Sequence, residues 1–188
     1  MPRGQYNQGR PLEFPEPEPW PEAVSGTALL DEIEAMFSRF IVCDWAAHQA
    51  AALWSAATWF EPVAQVAPNL NVTAPAHRCG KSLLLAIVGR LVKRPLPSAN
   101  ISPAALFRTI EKYTPTLLLD EADVYLNQNE ELRALINAGH TRETAFVLRT
   151  VGDDHEPKRF STWGFKAIAG IGKRAAEETH SAAPLAAS

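Results

Sequence analysis

The feature that most constrains this chain is the segment 74–85, APAHRCGKSLLL, in which a Gly-Lys-Ser triplet follows a weakly strand-like stretch and opens a run of leucines. A loop that holds a phosphate group needs consecutive inward-pointing backbone amides, a helix N-terminus behind them, a lysine and a hydroxyl. Gly80, Lys81 and Ser82 stand where that lysine and that hydroxyl are needed. The segment therefore predicts a strand, a loop and a helix arranged around a candidate phosphate site.

One position departs from the full phosphate-loop pattern, which asks for a glycine five residues before Gly80, where this chain has Pro75. Proline cannot adopt a positive φ and has no amide hydrogen to donate, so the start of the loop must take another shape. The amides from His77 to Ser82 remain available to a phosphate group. A Gly-Lys-Ser triplet also arises by chance, and the loop alone leaves both interpretations open.

A second segment, 116–121 with the sequence TLLLDE, places two acids directly after four apolar or β-favouring residues. Such a run predicts a buried strand, and ligands collect at the carboxyl ends of strands in open α/β sheets. Asp120 would join Ser82 in a Mg2+ shell, and Glu121 would polarise an attacking water. The competing interpretation is that the acids only begin a solvated helix. Together, the loop and the acidic strand predict a Mg2+-dependent nucleotide site.

The pattern beyond Pro68 alternates short strand-like and helix-like segments, which predicts an α/β fold with a mostly parallel sheet and crossover helices. Further along, TAFVLRTV and KRFSTW flank the turn-rich GDDHEP and predict an inserted β-hairpin. The predicted strands are NLNVT, part of RPLPSANI, TLLL and FKAIAGIG, and the predicted helices run from about Lys81 to Val92, from Pro103 to about Lys112, and from Asn129 to Gly139.

Four regions are predicted along the chain. Residues 1–22 are rich in proline and acid and predict an extended arm, either a linker or a strap docked through Trp20. Residues 23–62 hold two amphipathic helices, the second capped by Asp44, which we expect to form a small lid beside the core. Residues 63–173 form the predicted core, and residues 174–188 a poorly ordered tail.

Composition excludes several classes of protein. The chain has 188 residues, 46% of them hydrophobic, which suffices for one domain with a core. A net charge of -3 gives no strongly basic surface, although a local basic region stays open. Cys43 and Cys79 are too few for a disulfide framework and indicate a reducing compartment, by default the cytoplasm. The most apolar run, 50–60, is too short to span a bilayer, so no membrane partner is expected.

Two arginines, Arg142 and Arg149, flank the strand predicted after NAGHT. An arginine placed near the nucleotide of a neighbouring subunit could stabilise a transferring phosphoryl group, and Arg142 is the candidate for that role. Surface ion pairs are the competing interpretation of both residues. The acids and histidine of 153–156 fit a solvated turn better than a metal site, because adjacent turn residues rarely converge on one ion.

The predicted hairpin also has a basic character, from Lys158, Arg159 and Lys166. These residues could face single-stranded nucleic acid, with Phe160 or Trp163 available for base stacking. Core packing explains the two aromatic residues equally well. His48, inside the second helix, is expected to be a structural residue rather than a ligand.

The chain resembles a bacterial P-loop ATPase family that is known as a domain of unknown function and occurs in phage- and plasmid-related proteins, often beside primase or helicase modules. In that family the loop also reads proline-x-x-Arg-Cys-Gly-Lys, so Pro75 matches the family pattern. The resemblance covers about Pro17 to Lys173 and rests on uncommon blocks in the same order, APAHRCGKSLLL, LPSANISPAALFRTIEKYTPTLLLDEAD and NEELRALINAGHTRETAFVLRTVGDDHEPKRFSTWGFKAIAGIGK.

The resemblance implies an additional-strand (AAA/RecA-like) NTPase fold, in which FKAIAGIG lies between the loop strand and the acidic strand. It implies ATP and Mg2+ as ligands, with catalytic roles for Lys81 and Glu121. The nucleotide contacts carry over to Arg78, Cys79, Gly80, Lys81 and Ser82, and the acidic pair to Asp120 and Glu121.

The expected function is an Mg-ATP-binding ATPase, the motor part of a primase- or helicase-like protein of mobile elements. Single-stranded or duplex DNA is its expected partner, and a homo-oligomeric ring stays open as its assembly. Relatives continue past IGK into an arginine-bearing segment, whereas this chain turns to RAAEETHSAAPLAAS, so a truncated C-terminus is expected. That leaves a second hypothesis, a remnant that binds nucleotide or partners without hydrolysis. A small-molecule P-loop kinase is the third, and no recognisable lid or set of substrate arginines favours it.

Overall fold

The computed structural model describes residues 9–74, 79–122, 126–171 and 185–186. The helices in these ranges are α1 (Gly26–Phe40), α2 (Trp45–Ala57), α3 (Lys81–Leu91), α4 (Pro103–Tyr113) and α5 (Glu130–Asn137). The strands are β1 (Asn69–Ala74), β2 (Pro95–Ser98), β3 (Thr116–Leu119), β4 (Phe146–Val151), β5 (Glu156–Ser161), β6 (Lys166–Ile171) and β7 (Leu185–Ala186). Short 3-10 turns, Thr58–Phe60 and Ala138–His140, follow α2 and α5.

The main sheet has the strand order β2-β3-β6-β1-β7, and every neighbouring pair in it is parallel. The α/β class and the parallel sheet predicted from the sequence are therefore confirmed. β6 is late in the chain yet pairs with β1 on one side and with β3 on the other. This is the place expected for FKAIAGIG, between the strand that leads to Gly80 and the strand that leads to Asp120.

Helices cover both faces of the sheet, because residues of alternating parity along each strand point to opposite sides. On one face, Leu70 and Val72 of β1 pack in one core with residues of α1, α2 and α3. On the other, Leu117 and Leu119 of β3 pack in a second core with residues of α4 and α5. Each fully buried Leu, Val or Phe contributes about 1.5–3 kcal/mol through the water excluded from its surface.

The two N-terminal helices belong to the first of these cores rather than to a lid beside it. Phe37 of α1 and Ala51 of α2 are buried in the same cluster as Val72. Trp54 packs edge-on against Phe165 at 5.8 Å between ring centroids. Its indole also donates a hydrogen bond to the carbonyl of Pro68, at 2.7 Å. The predicted lid is thus wrong, because these apolar faces are needed to cover the sheet.

The predicted helix starts are confirmed by side-chain caps. Asp44 accepts a hydrogen bond from the Ala47 amide at 2.7 Å, and Asn129 accepts one from the Leu132 amide at 2.9 Å. Ser102 caps α4 in the same way, and Pro103 follows it in the first helical turn. These caps satisfy backbone amides that have no partner inside a helix.

Gly139 has a different role from the helix terminator that the sequence predicts. Its φ is -92°, so it does not use the left-handed conformation that favours glycine at a helix end. A Cβ atom at Gly139 would instead lie 2.2 Å from the carbonyl oxygen of Thr162 and 2.4 Å from Nζ of Lys166. Glycine is required there because two other segments approach its backbone closely.

The described part of the arm, 9–22, is a strap on the domain. Phe14 contacts the ring of Tyr113, at 5.4 Å between centroids, and Glu16 pairs with Arg94. Trp20 is 74% exposed, so the sequence prediction chose the wrong aromatic residue as the anchor.

The tail predicted at 174–188 lies outside the described residues except for β7. There, Leu185 and Ala186 pair in parallel with Val72 and Thr73 of β1. No helix within the described ranges combines the length and the apolar character needed to cross a membrane.

Lys166, at the start of β6, is fully buried. Its ammonium donates hydrogen bonds to the carbonyl oxygens of Gly139, at 3.0 Å, and Gly164, at 2.8 Å. Burial lowers the pKa of Lys166 to about 7 because the charged form loses its hydration. The predicted place of Lys166 on a basic outer surface is therefore wrong.

We expect Lys166 to make the stability of the protein depend on pH. The unfolded chain keeps the lysine protonated up to about pH 10.5, so between pH 7 and 10.5 it binds more protons than the folded chain. The free energy of unfolding should then rise with pH across this window, by at most about 1.4 kcal/mol per pH unit, and should not depend on Lys166 well below pH 7, where the lysine is charged in both states.

Denaturant unfolding of the wild type and of Lys166→Met at pH 7, 8 and 9 measures this effect. The rise should be absent in Lys166→Met and unchanged in Lys158→Met, which alters an exposed lysine of the hairpin. The same pH dependence in the wild type and in Lys166→Met would contradict the assignment.

Candidate functional site

The loop side of the candidate site begins where α3 starts. Gly80 is the N-cap residue of α3 and has a φ of 81°, a left-handed conformation that glycine adopts without strain. Gly80 has no side chain that could accept a hydrogen bond from the first amides of α3, whereas the N-cap residue of α2, Asp44, accepts one from Ala47. Lys81 and Ser82 are the first two residues of α3. A helix N-terminus with a glycine at the N-cap, a lysine and a hydroxyl can accept a phosphate group.

The predicted contacts His77 and Arg78 fall in 75–78, outside the described residues. Cys79, half-buried, and Gly80 stand directly before α3. The described part of the loop therefore provides four of the six predicted nucleotide contacts, Cys79, Gly80, Lys81 and Ser82.

The acidic side of the site begins where β3 ends. The Asp120 amide donates a hydrogen bond to the carbonyl of Ser98, at 3.3 Å, which continues the pairing with β2 by one residue. Asp120 Oδ1 accepts a hydrogen bond from the Glu121 amide, at 2.9 Å. Glu121 is exposed and has a φ of 51°. A side chain in this left-handed region is strained, and such strain is found preferentially at functional sites.

Ser82 and Asp120 lie across one cavity of about 500 Å3 between α3 and β2. The cavity has apolar walls, which include Leu85, Ala86 and Leu118. The two residues that the sequence predicts as Mg2+ ligands therefore line the same cavity, although 38 positions separate them in the chain.

The donor set fits Mg2+ bound together with a nucleotide rather than a metal bound by protein alone. Within 9–74, 79–122, 126–171 and 185–186, no three His, Cys, Asp or Glu side chains converge on one point. Mg2+ in phosphoryl-transfer sites takes one or two protein ligands and completes its shell with water and phosphate oxygens. Ser82 and Asp120 can supply those protein ligands.

Arg142 lies near the amino end of β1, on the side of the sheet opposite to the carboxyl ends of the strands. Its guanidinium donates to the carbonyl of Ala64, at 2.8 Å, and pairs with the carboxylate of Glu61, at 3.6 Å. It also stacks on the ring of Trp163, at 3.7 Å from the centroid. These contacts hold Arg142 in the fold and confirm the ion-pair interpretation for it, and a role at the nucleotide of another copy of the chain would require its guanidinium to leave them. That role in trans stays a prediction.

The hairpin β4–β5 orients its aromatic residues differently from the sequence prediction. Phe160 faces inward against Phe107, at 4.9 Å between centroids, and Trp163 is buried. Neither ring is therefore available to stack on a nucleic-acid base. Arg149 is on the same inner face, paired with Glu131 of α5, which confirms the ion-pair interpretation for this residue.

Sequence reasoning missed the outer face of the hairpin, which carries Phe146, Leu148 and Arg159. Phe146 is 39% and Leu148 59% exposed, and the Arg159 guanidinium lies 3.7 Å from the centre of the Phe146 ring. The signal was available in FVLRTV, because strict alternation along a paired strand sends residues 146 and 148 to the face opposite Val147.

Two predictions of a structural role are confirmed, one for the turn after β4 and one for His48. Asp153, Asp154 and His155 lie in the exposed turn between β4 and β5. His48 is buried, and its Nε2 is 2.9 Å from the carbonyl oxygen of Ile41, which gives it a structural partner.

No known protein-family model matches the sequence, and no curated protein matches it either. The resemblance to a P-loop ATPase family therefore stays a prediction. Function has to be argued from the residues of the site itself.

The left-handed backbone of Glu121 predicts that glycine at this position would make the protein more stable, although it removes the carboxylate expected to polarise water. Glu121→Gly should raise the free energy of unfolding by up to about 1 kcal/mol, because glycine adopts the left-handed conformation without a steric penalty. Glu121→Ala, the matched control, removes the carboxylate and keeps the strain, so it should bring no such gain. Denaturant titration measures both. A Glu121→Gly protein no more stable than Glu121→Ala would contradict a strained backbone at this position.

Proposed function

We propose that this chain is a Mg-ATP-binding P-loop NTPase domain. The observation that carries the proposal is the shared cavity of Ser82 and Asp120, which begins in the first turn of α3, directly after Gly80. A hydroxyl and a carboxylate in this arrangement, beside a lysine in the first helical turn, are what binding of a magnesium nucleotide requires.

The strand order supports the finer classification as an additional-strand NTPase of the AAA/RecA-like type. β6 separates β1, which leads to the loop, from β3, which leads to the acids. Two strand spacings, about 9–10 Å, then lie between the loop strand and the acidic strand. This gap leaves room for phosphate groups, a metal ion and an attacking water between the two sides.

Each residue of the site has a separate role in the proposed reaction. The amides at the start of α3 and the ammonium of Lys81 would hold the phosphates, and Ser82 with Asp120 would hold Mg2+. Bound Mg2+ supplies positive charge that offsets charge developing on the phosphate oxygens. Glu121 would orient the attacking water and accept its proton. Arg142 would act on a neighbouring nucleotide in a homo-oligomeric ring.

Action on DNA is the second part of the proposal, with the domain as the motor of a primase- or helicase-like protein of mobile elements. The outer face of β4–β5 supports it, because Phe146 and Arg159 present an exposed ring beside a cation. This combination suits the bases and phosphates of a single strand. Cys43 and Cys79 form no disulfide within the described residues, which fits a reducing compartment, and we propose the cytoplasm as the site of action.

Lys81→Ala tests the nucleotide site directly. Losing the charged hydrogen bonds from lysine to phosphate should weaken Mg-ATP binding by roughly 10- to 100-fold or more, measured by calorimetric titration. Lys158→Ala, which removes an exposed lysine of the hairpin, should leave the affinity unchanged. Equal affinities of the Lys81→Ala protein and the wild type would refute the site.

Glu121→Gln tests the proposed chemistry separately from binding. It should keep Mg-ATP affinity near the wild-type value while lowering any phosphate release by about 100- to 10,000-fold, the usual contribution of a positioned base. Phosphate release is measured with and without single-stranded DNA. A wild-type chain that binds Mg-ATP and shows no release under either condition would instead support a non-hydrolysing nucleotide-binding remnant.

A further inference from the structure

A cavity of about 450 Å3 lies between the N-terminal strap and the domain. Its strap side is formed by Pro15, Glu16 and Pro17. The domain side carries three cationic residues from the end of α3 and the segment before β2. These residues are Arg90, Lys93 and Arg94, with Trp59 beside them.

Positively charged side chains outnumber carboxylates in the lining of this cavity. Glu16 is the strap's only carboxylate lining it, and it pairs with Arg94. The hydrogen bond from Arg94 holds the pKa of the Glu16 carboxyl below its usual value. Lys93 is paired with Glu61 of the domain at 3.3 Å, and Arg90 has no ion pair or hydrogen bond to any residue that the structure describes. Removing the strap would therefore leave a net positive surface.

Aromatic rings border the same surface. Phe14 of the strap covers the ring of Tyr113, and the ammonium of Lys112 lies 4.9 Å from the centre of that ring. Trp59 is 43% exposed at the cavity. The strap thus places the ring of Phe14 on Tyr113 and the carboxylate of Glu16 on Arg94. Phe14 and Glu16 are two residues apart in the sequence.

We propose that the surface beneath the strap is a contact for single-stranded nucleic acid, and that Phe14 and Glu16 occupy it as stand-ins for a base and a phosphate. A single strand binds to surfaces that combine stacking rings with a line of cations, and Tyr113, Trp59, Arg90 and Arg94 form such a surface. The inference deepens the proposed action on DNA by naming a place of contact and a segment that competes for it.

The strap is weakly enough held to be displaced. Glu16 is 70% exposed in its pair with Arg94, and ion pairs this exposed contribute little to stability because water screens them. The alternating prolines and acids around it, EFPEPEP, favour an extended chain that has little apolar surface to bury. A polyanion with several phosphates can therefore outcompete one carboxylate.

Fluorescence anisotropy with a labelled dT20 strand, in the absence of nucleotide, tests the proposal. Glu16→Gln should tighten binding by about two- to fivefold, because the competing carboxylate loses its charge. Glu18→Gln is the matched control: it makes the same charge change two residues away, at an exposed acid outside the cavity lining. It should leave the affinity near the wild-type value.

Arg90→Ala in the Glu16→Gln background should weaken dT20 binding at least to the wild-type level. Arg90 has no partner in the described fold, so this change should not affect folding, which a thermal melt checks. The proposal is overturned if dT20 does not bind, if Glu16→Gln and Glu18→Gln act equally, or if Arg90→Ala has no effect. Mg-ATP titration of Glu16→Gln keeps the two proposals apart, since Arg90 lines the cavity of Ser82 and Asp120 as well as the one beneath the strap, whereas Glu16 lines only the latter of these two.

Discussion

The pairing of β6 between β1 and β3 is the interaction on which the rest of the structure depends. Its backbone hydrogen bonds set the register of both neighbours, with Ile168 opposite Leu119 on one side and Ile171 opposite Ala74 on the other. The carboxyl ends of all three strands therefore lie on the same side of the sheet. One strand, β6, separates the strand that leads to Gly80 from the strand that leads to Asp120. Without β6, Ser82 and Asp120 would have no fixed relation to each other.

The polar groups at the two ends of the strands in this sheet differ in their surroundings. At the carboxyl ends, Glu121 has a left-handed backbone, and Gly80 has no side chain with which to cap α3. At the amino edge, Lys166, Gly139 and Arg142 are tied to backbone carbonyls and to each other's segments. The charges of Lys166 and Arg142 therefore have partners inside the fold.

Local signals in the sequence predicted the elements well, because caps and apolar runs act over a few residues. As N-cap residues, Asp44, Ser102 and Asn129 each predicted the start of a helix that the structure contains. Long-range placement was harder. Lys166 looks like any surface lysine in sequence, and only the approach of Gly139 and Gly164 shows why its ammonium is buried. In the same way, Phe160 and Phe146 could be told apart only once the pairing of β4 with β5 fixed their faces.

The central claim is that Ser82 and Asp120 together hold the metal of a magnesium nucleotide. Its most direct test compares ATP affinity with Mg2+ and with EDTA, in the wild type and in Asp120→Asn. We predict that Mg2+ strengthens ATP binding to the wild type and that Asp120→Asn removes most of this gain while leaving metal-free binding unchanged. An equal gain from Mg2+ in both proteins would contradict the account.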